Sequence, residues 1–393
     1  MLLAPFPSEP ETAMPQIRSL ARARHLASAL LLLGTITTTA TAPAQAALTP
    51  TPGPALLAPG TSPSGAPVPQ RAARGLQLGA HTNVSWRDFD KLSQELDLMQ
   101  SAGVTWIRVD VSWASLQEHN KDTYSQWYVN RLDRIAQEAS RRGIKVLGTI
   151  MGAPSWVPVK ENTRYGIPRD SALIEGPARF LAQRYAGRID AWQVWNEPDC
   201  DTRTCSVVDP GEYLPLLRSA DRGLKAGNPR STVVAAGVSG IDAAWLRRLY
   251  AAGAKDYFDV LALHPYVAPA NGSPRLAPVG TNPYRMTNTP AAVAVMEQFG
   301  DEGTPIWFTE FGWTTGRQAG SYDGVDETTQ AYFLRDAAIL VNDNYPQVTN
   351  MFWYAFRDRN DSNVYENNFG LVRTDGTPKA AYWSFREAAA FLR

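Results

Sequence analysis

From Gly75 onward, apolar positions along the chain follow two alternating rhythms. Short β-branched or aromatic runs read as strands, and each is followed by a stretch in which apolar residues recur every three or four positions, as on one helix face. The run "LQLGAHTN" (76–83) precedes a stripe of Phe89, Leu92, Leu96 and Met99, and "VTWIRVDVSW" (104–113) precedes Leu132, Ile135, Ala136 and Ala139. Further runs occur at 145–152, 189–197, 231–240, 258–266, 305–313 and 348–356, and the final helical pattern begins at Lys379.

These runs predict eight strands separated by helices. Strands that are apolar almost throughout belong in a parallel sheet covered on both faces, and closing that sheet removes its exposed edges. The competing arrangement is an open, doubly wound sheet, but no glycine-rich dinucleotide fingerprint follows the first strand. The predicted fold is therefore α/β, a single (β/α)8 TIM barrel over 75–393. A chain of 393 residues with 44% hydrophobic content is large enough to build it.

Ahead of the barrel the pattern is different. Residues 1–47 read as a signal peptide: Arg18, Arg22 and Arg24 precede an apolar stretch from Leu26, and "AQA" at 44–46 is a small-residue cleavage site. Met14 is an alternative start. Seven prolines among Gly, Ser and Thr make 48–74 a disordered linker, too poor in apolar surface to offset its ordering entropy. The mature protein is expected to be secreted or periplasmic, without membrane association once the signal is removed.

Charge narrows the partners. Lys+Arg and Asp+Glu are equal at 38 each, so no net field draws nucleic acid. The twelve Trp and fifteen Tyr point to sugar, because several fall at strand ends, where a flat ring can hold a pyranose face. A polysaccharide or oligosaccharide is the expected partner, a monomer is assumed, and no cofactor is expected. No metal is expected either, since the chain has only four His, with His25 in the signal and His119 in a loop. Cys200 and Cys205 in "CDTRTC" can close a small disulfide loop beside Glu197 in an oxidising compartment; two thiols without a nearby His are too few for zinc.

Barrel chemistry sits where strands give way to the following loops. Here those positions carry His81, Asn83, Arg108, Asp110, Asn196, Glu197, His264, Tyr266 and Glu310. Two carboxylates facing a barrel interior are costly unless paired. A salt-bridge network with Arg108 explains the charges, but not the Trp, Tyr and Asn around them. Two carboxylates flanking one glycosidic bond explain both. One would protonate the leaving oxygen while the other attacks the anomeric carbon if they are about 5 Å apart, or activates water if they are about 6.5 to 9.5 Å apart.

The motifs "RVDVSW" (108–113), "WNEP" (195–198), "HPY" (264–266) and "TEFGW" (309–313) follow in strand order, and with them the chain resembles the clan A (β/α)8 retaining glycoside hydrolases over 75–393. The resemblance implies Glu197 as general acid/base, Glu310 as nucleophile and Asn196 as partner of the sugar 2-hydroxyl. It also implies that Tyr266 orients Glu310, with His264 on the floor and Trp353 as sugar platform. Arg108 is expected to hold Glu310 ionised, and Trp192 and Trp195 to surround Glu197 and keep it protonated. His81, Trp156 and Trp313 are further candidate sugar contacts.

Strict alternation would set Asn196 and Glu197 on opposite faces, so the strand must end or bulge there, as Pro198 suggests. The stretches "GVTWIRVDVSWASLQ" and "LGTIMGAPSWVP" look most like glycoside hydrolase family 39 and its bacterial exopolysaccharide endoglycosidases, with family 5 cellulase-like enzymes second. The expected function is a retaining, endo-acting β-glycoside hydrolase. The alternatives are an exo-acting β-xylosidase or β-glucosidase and a non-catalytic carbohydrate-binding barrel, though the latter normally lacks one of the two carboxylates.

Overall fold

The computed structural model describes residues 75–160, 166–199, 208–318, 320, 323–360 and 363–392. The expected signal peptide, the linker and the Cys200–Cys205 pair lie outside the described residues. The strands are β1 (Gln77–Thr82), β2 (Trp106–Ser112), β3 (Lys145–Met151), β4 (Ala191–Val194), β5 (Thr232–Val234), β6 (Val238–Ser239), β7 (Leu261–His264), β8 (Ile306–Phe311) and β9 (Val348–Trp353). All pairings are parallel, in the order β5-β4-β3-β2-β1-β9-β8-β7-β6.

The strand predicted at 231–240 is present as two pieces, β5 and β6. The bridges Asn196↔Gly237 and Val234↔Val260 join this interrupted strand to its neighbours on either side. The sheet thus comes round on itself, and the nine segments make the eight staves of a (β/α)8 barrel.

Helices α1 (Leu92–Ala102), α2 (Trp113–Leu116), α3 (Gln126–Arg141), α4 (Glu175–Arg184), α5 (Pro210–Gly227), α6 (Ala243–Ala251), α7 (Thr289–Gln298), α8 (Glu327–Asn344), α9 (Val364–Asn367) and α10 (Ala380–Phe391) follow the strands. Local chemistry fixes several of their starts. Ser125, Asp209, Asp242 and Asp326 each accept a hydrogen bond from a backbone N–H of the first turn of α3, α5, α6 and α8, and Pro210 opens α5. On α3 the stripe of Leu132, Ile135, Ala136 and Ala139 is buried as its spacing predicts. No described helix is long and apolar enough to cross a membrane.

Two apolar regions hold the barrel. The larger includes the helix stripes and the strand residues that meet them; the smaller, containing Trp106, Leu147, Ala191, Val234, Ala262, Trp307 and Phe352, fills the bore. The rings of Trp106, Trp307 and Phe352 lie 5.0 to 6.3 Å apart, in edge-on or tilted contact. Gly79 makes room for them, since a Cβ there would approach the Phe352 ring to 2.7 Å. One turn of the pleat above this plug, the same inward positions become polar: Arg108 above Trp106, Thr149 above Leu147, Gln193 above Ala191 and Thr309 above Trp307. The plug therefore sets a dry floor beneath the polar layer.

Candidate active site

Arg108 organises that layer. It is fully buried and spends each of its three nitrogens on a different partner: Nε donates to Gln193 Oε1 at 3.0 Å, one terminal nitrogen to Glu310 Oε1 at 2.5 Å and the other to Asn196 Oδ1 at 2.6 Å. A planar fork of donors suits this division among three acceptors. The second oxygen of Glu310 accepts from the Tyr266 hydroxyl at 2.9 Å. Burial alone would raise the Glu310 carboxyl, but the charges of His264, Arg108 and His81 and the Tyr266 hydrogen bond outweigh it and hold the group below the usual carboxylate range. Burial, reinforced by Glu310, lifts Tyr266 well above an ordinary tyrosine, so its hydroxyl stays a donor.

Glu197 reaches the same space because β4 stops at Val194. Trp195 and Glu197 both adopt left-handed backbone angles, φ 73° and 42°, which non-glycine residues rarely occupy. Backbone bonds pin the turn: Trp195 N donates to Ile150 O and Glu197 N to Gly237 O. The break in alternation turns Asn196 toward Arg108 and Glu197 toward His264. β8 likewise has a register irregularity between Phe308 and Phe311, where Glu310 joins the interior beside Thr309.

His264 lies between the carboxylates. Its Nδ1 is 2.8 Å from Glu197 Oε1 and 3.8 Å from Glu310 Oε2, and its Nε2 is 3.0 Å from Thr309 Oγ1. Thr309 Oγ1 also accepts from Gln193 Nε2 at 3.3 Å, so His264, Thr309 and Gln193 form one buried polar chain. One acceptor atom each from Glu197, His264 and Glu310 lie within 4.8 Å of one another. Gly237 permits this approach, because any Cβ there would overlap His264 Nε2 and come 2.8 Å from Thr309 Oγ1.

Beyond Tyr266 the wall continues through Tyr354, whose ring is edge-on to Tyr266 at 6.5 Å and stacked on His81 at 5.1 Å. His81 Nε2 faces Asp110 Oδ1 at 3.3 Å. The Tyr354 hydroxyl donates to Glu366 Oε2 at 3.2 Å.

The structure thus gathers Arg108, Asn196, Glu197, His264, Tyr266 and Glu310, with His81 alongside. Three tryptophan expectations fare differently. Trp353 is fully buried against Phe311 and Trp313 and donates to Phe369 O, so it has no open face for a sugar. Trp313 is buried too, donating to Gly272 O. Trp156 is half-buried, donates to Gln117 O and meets Trp113 edge-on. The expected apolar collar on Glu197 is also corrected: Trp192 and Trp195 are buried in the larger apolar core, and the carboxylate meets His264.

Gln193, Thr309 and Tyr354 were missed by sequence reasoning, although the strand period carries a signal for each. Gln193 is two residues after inward Ala191, Thr309 two after Trp307 and Tyr354 two after Phe352.

A plugged (β/α)8 barrel with paired carboxylates at its mouth has the fold of the clan A glycoside hydrolases. The family model for cellulase, glycosyl hydrolase family 5, matches residues 64–359, and the chain belongs to that family. Family 39, placed first by sequence reasoning, is met among the solved structures. A family 39 glycoside hydrolase from the gut symbiont Bacteroides cellulosilyticus is 24% identical at TM-score 0.64, with 83% of this chain and 66% of that one covered. An exo-β-1,4-mannosidase from an Opitutaceae bacterium is 20% identical at TM-score 0.58, covering 84% and 60%. A family 5 subfamily 18 protein from Streptomyces cattleya, in complex with GlcNAc, is 19% identical at TM-score 0.64, covering 82% and 81%. The chain spans less than two thirds of the first two, and at these identities the likeness is one of fold. No curated protein matches the chain.

Proposed function

We propose that the protein is a retaining β-glycoside hydrolase that cleaves within a polysaccharide by double displacement. The observation that carries this reading is the short approach of Glu197 and Glu310, with acceptor atoms inside 4.8 Å. So close an approach of single oxygens supports direct attack by a carboxylate, for which the groups stand about 5 Å apart, over activation of water, for which they stand about 6.5 to 9.5 Å apart.

In the first step Glu310 forms a bond to the anomeric carbon as the glycosidic bond breaks, and Glu197 gives its proton to the departing oxygen. In the second, water attacks that carbon, loses a proton to Glu197 and releases Glu310. Arg108 and Tyr266 keep the nucleophile ionised and aimed. Asn196, with its Oδ1 fixed by Arg108, has its amide N–H groups to spend on the sugar 2-hydroxyl. Tyr354, stacked on His81, offers the aromatic wall that buried Trp353 does not.

The basic and apolar N-terminal segment supports export, and we propose that the enzyme meets its polymer outside the cytoplasm. A panel of β-glycans with product sizing tests the endo reading. Early release of mixed oligosaccharides supports it, whereas monosaccharide or disaccharide release from one end favours the exo action known for the mannosidase neighbour.

A further inference from the structure

Outside the polar layer, a strip of aromatic rings runs along the outer edge of the barrel from the loop after β1 to the first turns of α3. Trp86 and Trp127 are 39% and 64% exposed, and both lie against Tyr128, with ring centroids 6.2 and 6.3 Å away. The Tyr128 hydroxyl accepts from Ser112 N at 2.8 Å and sits 3.4 Å from Asp110 O. The strip is therefore anchored to the end of β2, the strand that also presents Asp110 to His81.

Arg131 is the strip's cation. Its guanidinium carbon is 4.0 Å from the centre of the Phe89 ring and 4.8 Å from that of Trp127, so the guanidinium packs on both rings. Its Nε is buried and has no hydrogen-bond partner among the described residues. The nearby charges are already matched: Arg134, Arg141 and Arg142 pair with Glu138, and Arg184 and Arg188 with Asp133. A shallow surface hollow of about 520 Å³ opens here, lined by Trp127, Asn130, Arg131, Arg134 and the ion-paired Asp133, with Phe89 and Gln137. The side-chain oxygen of Asn130 accepts from Gln126, leaving its N–H groups as donors.

An indole face, a guanidinium with no acidic partner among the described residues and an amide donor together make a receptor for a pyranose ring bearing a carboxylate. We propose that this strip is an accessory binding site for a uronate unit of a polysaccharide. The role of holding the chain beside the mouth during cleavage rests on the hydrolase reading above; the binding itself does not.

The test measures binding of a short oligouronate and of its carboxyl-reduced, neutral counterpart to the whole protein, alongside turnover of an aryl glycoside. The oligouronate should bind at least about tenfold more tightly than the neutral form, with the preference fading as salt rises. Arg131→Gln and Trp127→Ala should each weaken oligouronate binding about tenfold or more while aryl glycoside turnover and the unfolding midpoint stay unchanged. Equal affinity for the two probes, no binding of either, or wild-type binding by both variants would overturn the site. If no glycoside is cleaved but the acid-selective, Arg131-dependent binding is present, the hydrolase reading fails and the site stands. If aryl glycoside is cleaved and neither probe binds, the site alone fails.

Discussion

At Glu310 the decisive feature is that both carboxylate oxygens are occupied by donors in a buried setting, Arg108 on one and Tyr266 on the other. Replacing it with alanine should abolish turnover, and azide should restore part of it as a glycosyl azide of inverted configuration. Glu197→Ala should lose activity chiefly on substrates whose leaving group needs a proton, so activated aryl glycosides should be spared. Equal losses across leaving groups in the two variants would count against the division of roles. Gly237 makes a separate prediction. An added methyl group must displace His264 or Thr309, so Gly237→Ala should lower kcat on substrates with poor leaving groups at least about tenfold, as expected when a residue supporting a proton-transfer group is misplaced. Unchanged kcat would show that His264 is not needed in place.

The turn at the end of β4 shows how an element makes a site. A regular strand would point Asn196 and Glu197 in opposite directions; left-handed angles at Trp195 and Glu197 bring both inward. Two residues on, Asp199 accepts from Ser239 N at 2.9 Å and ties the turn to β6. Burial pushes the Asp199 carboxyl up to about 7, the Ser239 hydrogen bond opposing and Glu197 adding to the rise. A folded-state pKa above the ordinary value means that the fold binds this proton more tightly than the unfolded chain does. Asp199 thus supports the fold at low pH, and its contribution falls as pH climbs from about 4 toward about 7. Asp199→Asn, a permanently neutral mimic, should flatten the decline of the unfolding midpoint across that window; an identical slope in the variant would reject this.

Elements also explain why the sequence was misread at β9. The period-2 pattern was legible, and Phe352 points into the bore, which sends Trp353 outward to the helices and Tyr354 to the mouth. Matching the tryptophan by residue type overrode the parity of the strand. Cross-strand partners such as Gln193 to Arg108 stayed hidden for another reason: their meeting depends on register around the barrel, which no local pattern records.

At the scale of the whole barrel, the alternation of strand and helix from Gln77 to Phe391 was readable among the described residues, because a parallel barrel buries each strand on both faces and every helix on one. The split of the fifth stave into β5 and β6 was not readable, since the apolar run from Val233 to Val238 continues through the break without a local signal. Whole-molecule electrostatics bear on metal dependence too. Glu197, His264 and Glu310 stand close enough to suggest a cation site. A divalent ion there would face the guanidinium of Arg108 across Glu310 and would have to strip the carboxylate of its donors. Exhaustive chelation should therefore leave turnover unchanged, and a loss restored by one particular metal would contradict that.

The most direct measurement follows the anomeric proton of the first product by NMR during cleavage of a β-linked substrate, before mutarotation blurs the signal. Attack by Glu310 across the short gap to Glu197 predicts that the β-anomer appears first and the α-anomer grows in only later. Initial release of the α-anomer would mean single displacement by water, and the paired roles of Glu197 and Glu310 would have to be abandoned.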